Sequence, residues 1–247
     1  MRLTESGLYQ RLPSFTLTYD LRQMAEPRLF KSHARLSAVQ EGCKYLCTVR
    51  DPVKTLVSLF NFFTGKFMSL PNGPPFPADW LANVDNFAKC PLWAIDSIWG
   101  GNYWEYMTEF YLARKQPAVK LLCFETMLVD LPTTVREVAE FMGLEKPDAA
   151  LVDEVVRLSS KAWMAENDAK FSEGWFYDEQ IKHNRYDAPP LPPVSKVTQT
   201  SGAPAVTPSE ETVAWMQAQW TALVAPKTGC KDYAEMRANL EAESKSS

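Results

Sequence analysis

This chain is poor in metal and redox ligands: among its 247 residues are only two histidines, His33 and His183, and five cysteines. No cysteine falls in a CxxC pair. Cys43 and Cys47 stand four apart, and no second Cys/His pair exists to complete a zinc site, so no metal is expected. Four of the thiols lie among apolar or strand-like neighbours. They read as reduced and partly buried, in a reducing, cytoplasmic compartment. Long apolar runs are missing too. None approaches the roughly 18 residues of a membrane span, and Met1 is not followed by the apolar core of a signal peptide. Positive charge is also short. Lys and Arg number 26 against 30 Asp and Glu, a net charge of −4. Bulk charge therefore gives a nucleic-acid role no support, and any anion must be held by a local cluster.

What is present is material for one core: 46% hydrophobic and 12% aromatic residues. Residues 1–26 show no strong period. "PRLFKSH" (Pro27 to His33) reads as a brief strand and "KYLCTV" (Lys44 to Val49) as a buried one. Asp51 and Pro52 then supply an N-cap and a first helical position, and Val53, Leu56, Val57 and Phe60 share one helical face. "SLPNGPPFPADW" is a Pro/Gly loop. "YWEYMTEFYLARK" reads as a helix and "AVKLLCFETM" as a second buried strand. "LPTTVREVAEFMGL" is a helix closed by Gly143, and one further helix crosses "DAALVDEVVRLSSKAWM". A proline-rich loop fills Pro189 to Pro208. "SEETVAWMQAQWTALV" is the next helix, and "EAESKSS" (241–247) is expected to fray. The alternation of strand and helix predicts an α/β fold with a parallel sheet, in a single domain over 1–240. Five aromatics in "GNYWEYMTEFY" fit a helix packed on that sheet better than a base-stacking platform, whose basic groove is absent. "PPLPP" fits a plain loop better than a polyproline ligand.

Parallel sheets of this kind bind ligands at the carboxyl ends of their strands. Arg50 lies at such an end, just ahead of a helix N-terminus with its unpaired N–H groups and partial positive charge. Lys54 and Ser58 sit one turn apart on that helix, away from its apolar face. Arg50 and Ser58 together can grip a phosphate. A solvated Arg, a capping Asp and an incidental Ser account for the spacing equally well. Upstream, Lys31, Ser32 and His33 close the preceding strand. A histidine there, two residues from a lysine, is placed to act as a general base, although a lone histidine is more often structural.

Taken together, "PRLFKSH" and "CTVRDPVKTLVSLF" resemble the sulfotransferases that use 3′-phosphoadenosine-5′-phosphosulfate (PAPS). In that family a "PR-x-x-K-[TS]-H" strand carries the catalytic histidine. A strand ending "V-x-R-[ND]-P" runs into a helix with a serine eight residues after the arginine. "KLLCFETM…TTVREVAEFMGL", "SSKAWMAENDAKF" and "PKTGCKDYAEMR" are similar to later family segments, so the likeness runs from about Pro27 to Arg237. The resemblance implies a three-layer parallel-sheet fold of the P-loop nucleoside-triphosphate-hydrolase type. It also implies sulfuryl transfer from PAPS to a hydroxyl or amine of a small-molecule or glycan acceptor. By the same resemblance, His33 takes the acceptor's proton, Lys31 balances charge on the sulfuryl group, and Arg50 and Ser58 bind the 3′-phosphate. Ser159, or Ser160 beside it, contacts the adenine.

Three departures stand out. The family's "P-K-[ST]-G-[TS]-[TS]" loop, which cradles the 5′-phosphosulfate, has no counterpart among the 32 residues before His33; "ESGL" is not it. The chain is expected to begin partway into the domain, to be marginal alone through an exposed sheet edge, or to be longer in its natural form. The C-terminal "R-K-G" loop is altered to "SKVTQTSGAP", where only Lys196 and Gly202 fit a basic, glycine-containing loop. Phe124 and Thr126 stand where a tyrosine and an aspartate are common. The rival expectation is a non-catalytic protein of the same fold that binds a nucleotide or a partner. A P-loop kinase relative is a third, against which "KSH" argues. The acceptor and a homo-oligomer stay open, as does membrane anchoring.

Overall fold

The computed structural model describes residues 29, 35–39, 41–67, 77–90, 102–144, 146–168 and 206–245. Two parallel strands, β1 (Tyr45–Val49) and β2 (Val119–Cys123), form the sheet among these residues. Their register pairs Tyr45 with Val119 and Val49 with Cys123, so both strands end at the same level. β2 buries Val119, Leu121, Leu122 and Cys123, as a strand covered on both faces does. β1 buries Cys47 and Val49 on one side, while Leu46 is 49% exposed and Thr48 faces outward with it.

Helix α1 (Pro52–Phe67) leaves β1 after Asp51, whose carboxylate accepts the Lys54 N–H at 2.9 Å. Pro52 at the first helical position loses no hydrogen bond. Leu56, Phe60 and Phe63 point inward, and the rings of Phe60 and Phe63 each stand 5.8 Å from that of Phe87. Phe87 lies on α2 (Val84–Ala88), which follows a 3₁₀ turn at Ala78–Leu81. Helix α3 (Tyr103–Ala113) opens on a capping box between Asn102 and Glu105. It buries Trp104, Met107, Phe110 and Tyr111 and packs on β2. Burial of each such side chain stabilises by about 1.5–3 kcal/mol. The aromatic run packs as a helix on the sheet, as expected, with Tyr103 and Tyr106 partly buried against the same core.

β2 passes at Phe124 directly into α4 (Phe124–Val129), so the strand is shorter than the apolar run through Met127 predicted. Helix α5 (Leu131–Phe141) is capped by Asp130 and closes on Gly143, as expected. Gly143 adopts φ +93°, its N–H bonds the Glu140 carbonyl, and the Leu144 N–H bonds that of Ala139. This is a Schellman closure, which needs the left-handed residue that glycine supplies. The single helix expected across "DAALVDEVVRLSSKAWM" is two: α6 (Ala149–Leu158) and α7 (Lys161–Glu166), divided at Ser159 and Ser160.

The C-terminal part is α8 (Glu210–Gln219), a π-helical turn at Trp220–Val224, α9 (Ala225–Thr228) and α10 (Tyr233–Lys245). Pro226 explains the π turn. It lacks an N–H and its ring crowds the carbonyl four residues back, and widening the preceding turn relieves both faults. The last helix continues through Glu241, the start of the tail expected to fray, as far as Lys245. Glu241 accepts from Arg237 and Thr126, Glu243 pairs with Arg114 at 2.8 Å, and Ser244 donates to Glu137. These partners tie the final turns to α3, α4 and α5.

All five cysteines are free thiols; Cys43 is exposed and the other four are buried. No helix is long and apolar enough to cross a membrane, and no cluster of His, Cys, Asp or Glu is arranged to hold a metal, among the described residues.

Candidate functional site

Because β1 and β2 end in register, the residues that follow them meet. Arg50 follows β1, and Phe124 and Glu125 follow β2. The Arg50 guanidinium lies 4.6 Å from the centre of the Phe124 ring, in cation–π contact. Its Nε is buried and has no hydrogen-bond partner among the described residues, and no carboxylate pairs with the guanidinium there. Phe124, a departure from the common tyrosine, is thus the platform on which the arginine rests. Thr126, the other departure, donates to Glu241 at 2.8 Å and joins α4 to the last helix.

The peptide unit between Arg50 and Asp51 is held at both ends. The Tyr103 hydroxyl donates to the Arg50 carbonyl at 2.7 Å. The Asp51 N–H donates to Glu125 Oε1 at 3.0 Å. Glu125 Oε2 in turn accepts from the Tyr233 hydroxyl at 2.7 Å. Burial pushes the Glu125 carboxyl up, but the Tyr233 hydroxyl, the Asp51 N–H and the charge of Lys54 outweigh it and hold it below the usual carboxylate range. Burial pushes the Tyr103 and Tyr233 phenols up, so both keep the protons they donate. Sequence reasoning missed Tyr103, Glu125 and Tyr233. The signal available for Glu125 was its place at the end of the second buried strand, opposite Arg50 and Asp51.

Ser58 is exposed on α1, one turn beyond the exposed Lys54, so Arg50, Lys54, Ser58 and the start of α1 belong to one short segment. Ser159 is exposed at the C-terminal cap of α6. Its neighbour Ser160 is engaged twice, accepting from the Trp163 N–H at 3.2 Å and donating to the Arg157 carbonyl at 2.8 Å. No hydrogen bond or ion pair joins Ser159 to Arg50 or Ser58 among the described residues. Lys31, His33 and Lys196 lie outside the described residues.

Comparison with known proteins fixes the family. Residues 13–185 match the family model of the sulfotransferase domain, and the chain belongs to that family. Luciferin sulfotransferase of Photinus pyralis is 26% identical over 129 residues, 49% of this chain and 31% of its own length. Sulfotransferase 1A1 of Mus musculus is 25% identical over 152 residues, 60% of this chain and 48% of its own. The chain thus spans about a third to a half of the length of the curated relatives it matches. Among solved structures, mouse sulfotransferase SULT7A1 complexed with PAP aligns at a TM-score of 0.50 and 16% identity, covering 80% of this chain and 67% of its own. Retinol dehydratase in a complex with retinol and PAP aligns at 0.52 and 17%, covering 82% and 53%. The fold is the P-loop-like α/β fold of the sulfotransferases, with its parallel sheet and flanking helices.

Proposed function

We propose that this protein transfers a sulfuryl group from PAPS to a hydroxyl or amine of a small-molecule acceptor, with Arg50 and Ser58 holding the 3′-phosphate of the donor. The observation that carries the reading is the state of Arg50. A cationic fork with a buried, unpartnered Nε, uncompensated by any described carboxylate, lies at the carboxyl end of a parallel strand beside a helix N-terminus. That arrangement fits a phosphate. When bound, PAPS supplies the activated sulfuryl group, and the chain supplies position and charge. Lys54 adds a second positive charge. Ser159 is the serine of its pair whose hydroxyl has no hydrogen-bond partner among the described residues, which favours it over Ser160 as the group facing the adenine. His33 takes the acceptor's proton, Lys31 balances charge on the transferring group, and Lys196 adds to the 3′-phosphate site. These three roles rest on the "PRLFKSH" and "SKVTQTSGAP" segments and their likeness to the family's patterns.

The test is binding of 3′-phosphoadenosine 5′-phosphate (PAP), by calorimetry, to the protein and to R50A and S58A. R50A is expected to weaken binding by about 30-fold or more and S58A by about 5-fold, the range of charged and neutral hydrogen bonds. Unchanged affinity in both would overturn the anion site. PAP binding without sulfuryl transfer to any hydroxyl or amine acceptor would point instead to a non-catalytic nucleotide-binding member of the family.

A further inference from the structure

We infer that Glu125 is a positioning residue for the anion site, acting through the single peptide unit that links Arg50 to Asp51. The inference rests on reading Arg50 as an anion ligand. Arg50 is the last residue before the Asp51 cap, so the plane of that peptide fixes two things at once. It sets the direction in which the Arg50 side chain leaves the backbone, and it sets the start of α1 with its outward N–H groups. Glu125 Oε1 holds the N–H of that unit at 3.0 Å, and the Tyr103 hydroxyl holds its carbonyl at 2.7 Å. With both ends fastened, the plane cannot tilt without breaking a hydrogen bond. Glu125 is itself fastened from the far side by Tyr233, at the start of α10. Phe124, the residue before Glu125, carries the guanidinium. Two consecutive residues, Phe124 and Glu125, therefore set the side chain and the backbone of Arg50.

The sign of the charge makes this testable. A carboxylate close to an anion site disfavours the anion by simple repulsion. Glu125 makes no ion pair with Arg50; its two oxygens are spent on Tyr233 and Asp51. If Glu125 mattered only as a nearby charge, removing it would tighten anion binding. A positioning role demands the opposite. Glu125→Gln separates the two effects, because the amide oxygen can accept from the Asp51 N–H while the amide nitrogen donates to the Tyr233 oxygen.

The experiment measures PAP affinity by calorimetry on the whole chain, with thermal melts alongside, for wild type, E125A, E125Q, Y103F, R50A and the E125A/R50A pair. E125A is expected to weaken PAP binding by roughly 10-fold and Y103F by about 3- to 10-fold, while E125Q stays within about 3-fold of wild type. In the R50A background, E125A is expected to lower the melting temperature again but to cost no further affinity, since its effect passes through Arg50. If R50A weakens binding while E125A leaves it unchanged or tightens it, the positioning role is overturned and the anion site survives. If R50A itself leaves PAP affinity unchanged, the anion-site reading fails. Should E125A not fold, Y103F and E125Q decide the matter: wild-type affinity in Y103F, or a loss in E125Q as large as that of R50A, overturns the inference.

Discussion

A guanidinium resting on a phenyl ring has lost much of its water and gained no counter-ion. Among the described residues Arg50 is in that condition, and the Glu125 carboxylate across the strand ends is committed to the Asp51 N–H and the Tyr233 hydroxyl. Glu125 shows how the commitment is enforced. Burial alone raises its pKa, yet the Tyr233 hydroxyl, the Asp51 N–H and nearby Lys54 together depress it. The depressed value has a consequence for stability. A carboxylate more acidic in the folded than in the unfolded chain stabilises the fold at pH values above its unfolded pKa of about 4.3, and that stabilisation is lost as the pH falls through the folded pKa. Glu125→Gln keeps the shape and removes the charge. E125Q is therefore expected to melt below wild type at pH 7, by the equivalent of about 1 kcal/mol, the difference between a charged and a neutral acceptor. The gap should close as the pH falls below the unfolded value of about 4.3 and on through the lowered folded pKa, where the wild-type carboxyl itself takes up a proton. Melting curves of both proteins across that range check it; a gap that stays constant with pH would mean that the carboxylate charge contributes nothing.

The elements differ in how openly the sequence declares them. β1, α1 and α5 carry local signals that point one way: an apolar β-favouring run, an Asp-Pro start, a Gly143 stop. The division between α6 and α7 was hidden, because apolar spacing continues across it and the break depends on which serine turns its hydroxyl inward. Ser160 does so, accepting from Trp163 and donating to Arg157, while Ser159 caps α6 with its backbone alone. Arg50 and Ser58 were legible as candidates because they stand only eight residues apart in sequence, across the start of one helix. Glu125, Tyr103 and Tyr233 were not: the first two meet Asp51 and Arg50, and Tyr233 meets Glu125, only through the register of β1 on β2 and the packing of α3 and α10. The two serines give opposite expectations. Ser160→Ala removes an N-cap and should cost about 1 kcal/mol of stability. Ser159→Ala, on an exposed hydroxyl, should change stability by less than about 0.5 kcal/mol while weakening PAP binding. Melting and calorimetry on the two single variants separate them; the reverse pattern would give the nucleotide contact to Ser160.

At the scale of the whole molecule, four buried thiols report on four parts of one core. Cys47 lies inside β1 and Cys123 at the end of β2. Cys90 follows α2, and Cys230 lies between α9 and α10. Cys47 and Cys230 also donate to tyrosine hydroxyls, those of Tyr106 and Tyr111, each at 3.2 Å. Burial pushes the Cys47 thiol up to about 12 and that of Cys123 to about 11, so neither offers thiolate at pH 8. Thiolate fraction and access together set the rate of reaction with a disulfide reagent. Cys43 alone is exposed. The native protein at pH 8 is therefore expected to release one equivalent of reporter rapidly and the other four only as the fold opens, with five released at once in denaturant. The slow phase has further content. If β1, β2 and the C-terminal helices form one cooperative unit, the four buried thiols react with a single rate. If α8 to α10 open separately from the sheet, Cys230 reacts ahead of Cys47 and Cys123. PAP should then slow only the thiols of the part that carries Arg50. Because Tyr233 and Glu125 tie α10 to the strand ends, the single rate is the expected result, and E125A is the variant that should split it.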